Sequence, residues 1–349
     1  MIEGRSRSVK EQVALCQTDG QDCYSNYDHS YAGWLFSVDE CGPRAGHCFA
    51  RCGAHGEIAS LTLMHESGEF ANPKIRVFKM FYWSAGKKVE AWLTEPMRPG
   101  HYPLLVVLHG GWPWDMRHLH RVTTVIGVNV FPSFSYYEDF SSKIVTITPA
   151  YRGYGKSQGS VQGMFGDTLD ADNAMKAAFS LHHVKPNDTY VWGVSMGGGI
   201  ALMLASEQKG IRAVVADSPF VGWDITAYWA RRLKETSTFN SGEVLYATYA
   251  YGSAHFAVRS PYDHTSTIHA PVLLLQGEKD HHVIWETVES LYQRMKKEGK
   301  GVSLVLYKTG HHGLENKHWY ASTYAWIQWM NRYGLPGPYS AGFMNSVGL

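Results

Sequence analysis

Residues Thr189 to Ser206 read TYVWGVSMGGGIALMLAS, and this stretch decides the fold. Its first four residues are β-branched or aromatic, as is typical of a short buried strand, whereas Ile200 to Ala205 are apolar and mostly good helix formers. A strand therefore meets a helix at Ser195, within the G-x-S-x-G pattern of residues 193–197. This context predicts a nucleophile elbow, whose glycines let the backbone turn sharply and expose the serine hydroxyl. The alternative is a glycine-rich turn with an inert serine.

Apolar runs of strand length recur on both sides of this stretch. Buried strands are predicted at Leu104–Leu108, Ile144–Ile147, Ala213–Ala216, Val272–Leu275 and Val302–Tyr307, and an antiparallel pair at Ile75–Trp83 and Val89–Thr94. Helical periodicity appears at Thr168–Phe179, Val283–Lys297 and Trp319–Trp329. This alternation predicts an α/β fold with a mostly parallel sheet and helices on both faces. Ligands of such sheets bind beyond the carboxyl ends of the strands, where Ser195 is placed.

Length and composition allow one large domain with smaller additions. The chain has 349 residues, a hydrophobic content of 44% and a formal net charge of +1. We expect a segment over residues 1–70, a catalytic domain over 71–335 with a cap at about 221–260, and a tail over 336–349. The balanced charge argues against a nucleic-acid partner. No apolar run reaches the roughly 18 residues of a membrane span, so none is expected.

The N-terminal segment is distinguished by its cysteines. All five cysteines of the chain fall within it: Cys16, Cys23, Cys41, Cys48 and Cys52. Disulfides are the favoured interpretation and would fit a secreted or periplasmic protein. Free buried thiols in a cytoplasmic protein, or a metal site with nearby histidines, remain alternatives. Ile2–Arg5 resembles a protease-cleavage linker, so we expect residues 1–6 to be a tag remnant.

A reactive Ser195 needs an imidazole to accept its proton and an acid to orient that imidazole. When an acid and then a histidine follow later strands in this order, the arrangement is typical of α/β-hydrolases. Asp280 follows Val272–Leu275 and is the expected acid, with Glu278 as its rival. His312 follows Val302–Tyr307 and is the expected base, with His311 as its rival. This chemistry needs no metal ion and no organic cofactor.

The oxyanion of an acyl-transfer reaction needs two fixed N–H donors. Met196 follows the serine at the helix start, and its N–H is the first expected donor. The second is expected from the His109-Gly110-Gly111-Trp112 turn after Leu104–Leu108. Gly111 is favoured there because glycine lets the main chain approach the substrate closely, with Trp112 beside it.

At this point the chain resembles a known family. The motifs are Leu108 to Trp112, Tyr151-Arg152-Gly153-Tyr154-Gly155, the Ser195 elbow, Ser260-Pro261, Gly277 to Asp280 with Val283, and Tyr307 to Gly313. Together they are similar to the catalytic domain of the prolyl oligopeptidase family, nearest its acylaminoacyl-peptidase branch, over about residues 70 to 333. The resemblance implies an α/β-hydrolase fold and a triad of Ser195, Asp280 and His312. Family peptidases usually carry a β-propeller ahead of this domain, which about 70 residues cannot build, and often a tyrosine where Met196 stands.

The expected activity is serine hydrolysis of small esters, amides or short peptides through an acyl-enzyme on Ser195. A prolyl oligopeptidase-like exopeptidase and a non-catalytic binding protein on the same fold are the alternatives. The aromatic-rich segment between Phe220 and Pro261 predicts a helical cap, most of whose rings would form the cap's own core. Substrate contacts are expected from Trp112, Trp114, Trp223, Tyr228 and Trp229. Without a propeller, access to the site would be restricted by residues 1–70 or by assembly into a homo-oligomer.

Overall fold

The computed structural model describes residues 55–64, 74–111, 142–161, 163–164, 166–234, 259–314 and 318–337. The five cysteines, Trp112 and Trp114, cap residues 235–258 and tail residues 338–349 lie outside these ranges. Predictions that fall on them therefore remain predictions.

Nine strands within the described ranges form one sheet. They are β1 (Ile58–Leu63), β2 (Ile75–Ser84), β3 (Lys87–Pro96), β4 (Tyr102–Leu108), β5 (Val145–Pro149), β6 (Val184–Val194), β7 (Ile211–Asp217), β8 (Val272–Gly277) and β9 (Val302–Tyr307). Their order in the sheet is β1-β2-β3-β5-β4-β6-β7-β8-β9. The six strands β4 to β9 pair in parallel with their neighbours in the order β5-β4-β6-β7-β8-β9. The pairs β1–β2, β2–β3 and β3–β5 are antiparallel. The expected mostly parallel sheet is confirmed.

Five α-helices are present in the same described ranges. They are α1 (Gly166–Phe179), α2 (Met196–Glu207), α3 (Trp223–Leu233), α4 (Trp285–Lys297) and α5 (Trp319–Arg332). On one face of the sheet, Leu104 and Val106 of β4 share a core with residues of α1 to α4. On the other face, Leu105 and Val107 share a core with α5, including Trp326. Both faces of β4 are therefore buried, which explains why its sequence is apolar throughout.

The sheet extends beyond the predicted N-terminal boundary of the catalytic domain at residue 71. β1 lies in the segment assigned to residues 1–70, yet it pairs antiparallel with β2, with Leu61 opposite Met80. As an edge strand, β1 leaves most of its residues exposed, so its sequence has few buried apolar positions. Hydrophobic periodicity therefore gave no reason to assign β1 to the catalytic domain.

A buried ion pair fastens the connection after β5 to α1. The Arg152 guanidinium donates to both carboxylate oxygens of Asp170, at 2.9 Å and 2.7 Å, and both side chains are fully buried. The Arg152 N–H donates to the same carboxylate at 2.7 Å. A fully hydrogen-bonded pair of this kind offsets the cost of burying two charges. Arg152 is thus a structural residue.

Candidate active site

Ser195 occupies a sharp turn between β6 and α2. β6 ends at Val194 and α2 begins at Met196, so Ser195 is the single residue between them. Its φ of 59° and ψ of −122° are rarely adopted by residues other than glycine. Such strain is characteristic of a serine presented above a sheet by a nucleophile elbow.

Two glycines make this turn sterically feasible. A Cβ on Gly193 would lie 2.2 Å from the carbonyl oxygen of Gly197. A Cβ on Gly197 would lie 2.2 Å from the carbonyl oxygen of Leu108, at the end of β4. The obstructing atoms belong to the backbone, so no side-chain movement would relieve either contact. The close packing of β4, β6 and α2 around Ser195 therefore depends on both glycines.

His312 and Asp280 are in direct contact. Nδ1 of His312 lies 2.9 Å from Oδ2 and 3.1 Å from Oδ1 of Asp280. Asp280 follows β8 and His312 follows β9, and these neighbouring strands are parallel, so their carboxyl ends share one edge of the sheet. Ser195 follows β6 at the same edge, with β7 between β6 and β8. The three residues of the expected triad therefore lie at the ends of β6, β8 and β9.

The Asp280 carboxylate is held by three further donors. Its Oδ1 accepts the N–H groups of His282 at 2.7 Å and Val283 at 2.9 Å. Its Oδ2 accepts the side-chain amide of Gln276 at 3.0 Å. Burial alone would raise the pKa of Asp280, but the hydrogen bond and charge of His312, with the two N–H donors, lower it below its ordinary value. Asp280 is thus an ionised, fixed acceptor for His312.

The rival acid and base are placed differently. Glu278 lies in the turn after β8, where its N–H donates to the carbonyl oxygen of Tyr307. His311 is exposed, and its ring lies 5.7 Å from that of His281, centroid to centroid. The acid that contacts His312 is Asp280, as expected.

The turn after β4 lies against Ser195. A Cβ on Gly110 would approach the Ser195 Cβ to 3.2 Å, so the backbone of this turn runs close beside the serine. A Cβ on Gly111 would lie 2.5 Å from Oη of Tyr154 and 2.8 Å from Cε of Met196. Met196 begins α2, and the first N–H groups of a helix have no intrahelical partner. The backbone segments that carry both predicted oxyanion donors therefore lie next to the elbow.

Three of the predicted substrate contacts lie within the described residues. Trp223 is fully buried, with its ring 4.6 Å from that of Phe220, so it belongs to the core. The Trp229 indole N–H donates to Oγ of Ser290 at 2.8 Å and joins α3 to α4. Tyr228 is 52% exposed. Composition identifies an aromatic segment but cannot separate rings that pack inward from rings that face a ligand.

Three polar residues near the site escaped prediction. Gln276 is a buried polar residue at the end of the apolar strand β8, and it contacts Asp280. Asp217 and Ser218 similarly follow the apolar part of β7 and are buried. The available signal was a polar residue directly after a buried apolar run, because that position faces the ligand edge of a parallel sheet. Among the described residues, no group of three or more histidine, cysteine, aspartate or glutamate side chains could hold a metal ion.

Two family models match the chain. Residues 162–332 match the prolyl oligopeptidase family, and residues 57–223 match acetyl xylan esterase. The uncharacterized peptidase YtmA of Bacillus subtilis is 26% identical over 76% of this chain and 98% of its own length.

Solved structures show the same fold. The acetyl xylan esterase from Paenibacillus sp. R4 aligns with a TM-score of 0.59 and 18% identity, over 78% of this chain and 88% of its own. The acylaminoacyl peptidase of Pyrococcus horikoshii aligns with a TM-score of 0.57 and 15% identity, over 79% of this chain and 44% of its own.

Fold, site and matches together define the class of this protein, which is an α/β-hydrolase. Within that class the chain is a serine hydrolase acting on esters or peptides, with the expected resemblance to the prolyl oligopeptidase family. Small ester or peptide substrates fit these families. Each helix in the described part of the chain is too short or too polar to cross a membrane.

Proposed function

We propose that the chain hydrolyses small esters or amides through an acyl-enzyme on Ser195. The Ser195 hydroxyl attacks the substrate carbonyl carbon while Nε2 of His312 accepts its proton. His312 then returns the proton to the leaving alcohol or amine as the bond to that group breaks. In the second half-reaction, a water molecule gives a proton to His312 and attacks the acyl carbon, and Ser195 recovers its proton as it leaves.

The observation that carries this proposal is the contact between His312 and Asp280. An ionised carboxylate accepts hydrogen bonds and donates none, so Nδ1 of His312 must carry the proton at 2.9 Å from Oδ2. Nε2 is then the basic nitrogen of the neutral ring. The pair therefore sets the tautomer that a general base for Ser195 requires.

Charge on the reacting oxygen would be stabilised beside the elbow. The Met196 N–H at the start of α2 and the Gly111 N–H in the turn after β4 are the proposed donors. Preorganised donors of this kind are worth about 10²-fold to 10³-fold in kcat each. The closeness of the Gly110–Gly111 backbone to Ser195 and Met196 supports this assignment.

A second candidate within the same chemistry is an exopeptidase. The match of residues 162–332 to the prolyl oligopeptidase family, which includes all three proposed catalytic residues, favours it. Comparing kcat/KM on p-nitrophenyl acyl esters with kcat/KM on aminoacyl and acylaminoacyl anilides separates the two candidates. Faster turnover of the anilides would identify a peptidase, and turnover of the esters alone would identify an esterase.

A fluorophosphonate probe tests the nucleophile. We expect the probe to label Ser195, and Ser195→Ala to abolish labelling and lower kcat by about 10⁵-fold to 10⁶-fold with an unchanged circular dichroism spectrum. Ser206→Ala is the matched control, because this hydroxyl lies on α2 and donates only to the Met203 carbonyl at 2.7 Å. Labelling of another residue, or full activity of Ser195→Ala, would refute the proposal.

A further inference from the structure

Asp217 and Ser218, at the carboxyl end of β7, connect the elbow to the histidine loop. The carbonyl oxygen of Asp217 accepts the N–H of Ser195 at 2.8 Å. Oγ of Ser218 accepts the N–H of Gly313, the residue after His312, at 3.0 Å. The same hydroxyl donates to Oδ1 of Asp217 at 2.9 Å. Two adjacent residues thus hold the main chain at both Ser195 and His312.

Ser218 is well fixed for this task. It is fully buried, and its own N–H donates to the carbonyl oxygen of Leu275 in β8 at 2.8 Å. Its φ of 46° lies in the left-handed region, where a residue other than glycine is uncommon. Because the backbone is bonded to β8 and the hydroxyl to Asp217, Oγ has little freedom to move. The hydrogen bond from the Gly313 N–H to this Oγ therefore restrains the loop that carries His312.

The histidine loop needs such a restraint. The segment His312–Leu314 is a tight, kinked turn rather than a regular helix, because Gly313 has a φ of 64° and Leu314 a φ of 51°. A left-handed φ costs glycine little but is unfavourable for leucine, so the conformation of Leu314 depends on contacts that hold the loop. The bond from the Gly313 N–H acts one peptide away from the imidazole, so it constrains where the ring of His312 stands.

The Asp217 carboxyl also lies within electrostatic reach of the site. Burial raises the pKa of Asp217 to about 7, while the Ser218 hydroxyl and the charge of His312 lower it and the charge of Asp280 raises it. Asp217 in turn contributes to the raised pKa of Tyr307 on β9, after burial. The groups that face this carboxyl are thus Ser218, His312, Asp280 and Tyr307.

We propose that Asp217 and Ser218 are positioning residues for the reaction, which set the separation and orientation of Ser195 and His312 through the Gly313 N–H. This inference rests on the proposed roles of Ser195 and His312. Asp217 and Ser218 touch neither substrate nor the transferred proton, and they act through the backbone of the catalytic residues. Their loss should therefore lower kcat while leaving KM nearly unchanged.

The main test compares Ser218→Ala with Ser157→Ala. Ser157 is the matched control, because its buried Oγ likewise accepts a backbone N–H, that of Glu90 on β3, at 3.0 Å. Each change leaves one buried N–H without its acceptor and should lower stability by a similar amount. We expect Ser218→Ala to lower kcat by about 10-fold to 100-fold, since small misplacement of a catalytic group has effects of this size. Ser157→Ala should retain wild-type kcat.

A second variant covers the case in which Ser218→Ala does not fold. Ser218→Gly removes the same hydroxyl, but glycine adopts a φ of 46° without strain, which offsets part of the lost stability. We expect Ser218→Gly to lower kcat by the same factor as Ser218→Ala, with KM nearly unchanged.

The outcomes separate this inference from the proposed function. Fluorophosphonate labelling of Ser195 in the wild type, with the expected loss of kcat in Ser218→Ala or Ser218→Gly, supports the inference. Wild-type labelling with the kcat of the folded Ser218 variants equal to that of Ser157→Ala overturns the inference and leaves the proposed function standing. No labelling of Ser195 in the wild type overturns both.

Discussion

At the scale of single residues, the Asp280 carboxylate is the best-supported part of the site. It accepts hydrogen bonds from His312, Gln276 and two backbone N–H groups, so its position and its charge are both fixed. Because its pKa is lowered in the folded protein, Asp280 stabilises the fold above its unfolded pKa. That stabilisation is lost as the pH falls through its folded pKa.

Asp280→Asn should lower kcat by about 10³-fold to 10⁴-fold with little change in KM. The amide oxygen would accept the N–H groups of His282 and Val283, so the amide NH2 would face His312 and donate to Nδ1, which favours the wrong tautomer. Steady-state kinetics on a p-nitrophenyl ester would measure the loss. Glu278→Gln is the control, because it removes a carboxylate two residues away and should retain wild-type kcat. A larger loss in Glu278→Gln than in Asp280→Asn would reverse the assignment of the acid.

The sequence could predict these residue types but not every contact. Asp280 and Glu278 both follow β8, and the choice between them depends on a turn in which the Lys279 N–H donates to the carbonyl oxygen of Gly310. That bond joins two loops that are distant along the chain, so no local pattern encodes it. The burial of Trp223 is a second example, since it depends on packing against Phe220 rather than on the segment's composition.

At the scale of elements, the proposed oxyanion site is a meeting point of three parts of the chain. The turn after β4 contributes Gly111, the connection after β5 contributes Tyr154, and α2 contributes Met196. Tyr154 is itself buried against His109, with ring centroids 5.3 Å apart. A Cβ added to Gly111 would therefore meet a tyrosine ring that is itself packed in place.

Gly111→Ala should lower kcat by about 10²-fold, because its Cβ would meet Tyr154 and Met196 and displace the proposed N–H donor. Tyr154→Phe removes the nearest obstructing atom, the phenolic oxygen at 2.5 Å. We therefore expect the double variant to lose less activity than the sum of the single losses predicts, which a double-mutant cycle on kcat would measure. Additive losses would contradict the steric explanation, and full activity of Gly111→Ala would contradict the role of its N–H.

The sequence predicted the bounds of strands whose residues are at least partly buried along their length, and it missed strand residues that are exposed. The apolar runs gave β9 at its observed bounds, Val302–Tyr307, and β8 to within two residues. β6 begins at Val184, five residues before the predicted Thr189, because its first half is polar and partly exposed. β1 is an edge strand whose residues are mostly exposed, so burial gave no signal there either. Hydrophobic pattern reports burial, and it therefore misses strand residues that pair without being buried.

At the scale of the whole molecule, buried carboxyl groups make stability depend on pH. Asp167, in the first turn of α1, is fully buried, and burial followed by the charge of Asp170 raises its pKa to about 8. Its Oδ2 accepts the N–H of Met164 at 3.0 Å, and its Oδ1 has no hydrogen-bond partner among the described residues. The raised pKa means that the contribution of Asp167 to stability is complete below its unfolded pKa and is lost as the pH rises through about 8.

Asp167→Asn should therefore flatten the fall of Tm between about pH 5 and pH 8, where the folded wild type keeps this proton and the unfolded chain has lost it, because asparagine stays neutral throughout. Each kcal/mol of pH-dependent destabilisation removed should raise Tm at high pH by about 2 to 4 °C. Differential scanning calorimetry across this range would measure the change.

Asp172→Asn is the matched control on the same helix, where the carboxylate pairs with Lys176 at 2.8 Å. Its Tm should keep the wild-type dependence on pH over this range. A wild-type slope in Asp167→Asn would show that this carboxyl group is not the one that titrates.

The strained backbone of Ser195 has a consequence for the evolution of thermal stability in such an enzyme. A residue held at a φ of 59° and a ψ of −122° costs the fold free energy that glycine would recover. Selection for thermal robustness alone would thus replace this serine, whereas selection for turnover would retain it. If relatives adapted to high temperature keep a serine at this position, the strained backbone itself indicates that the residue is retained for catalysis.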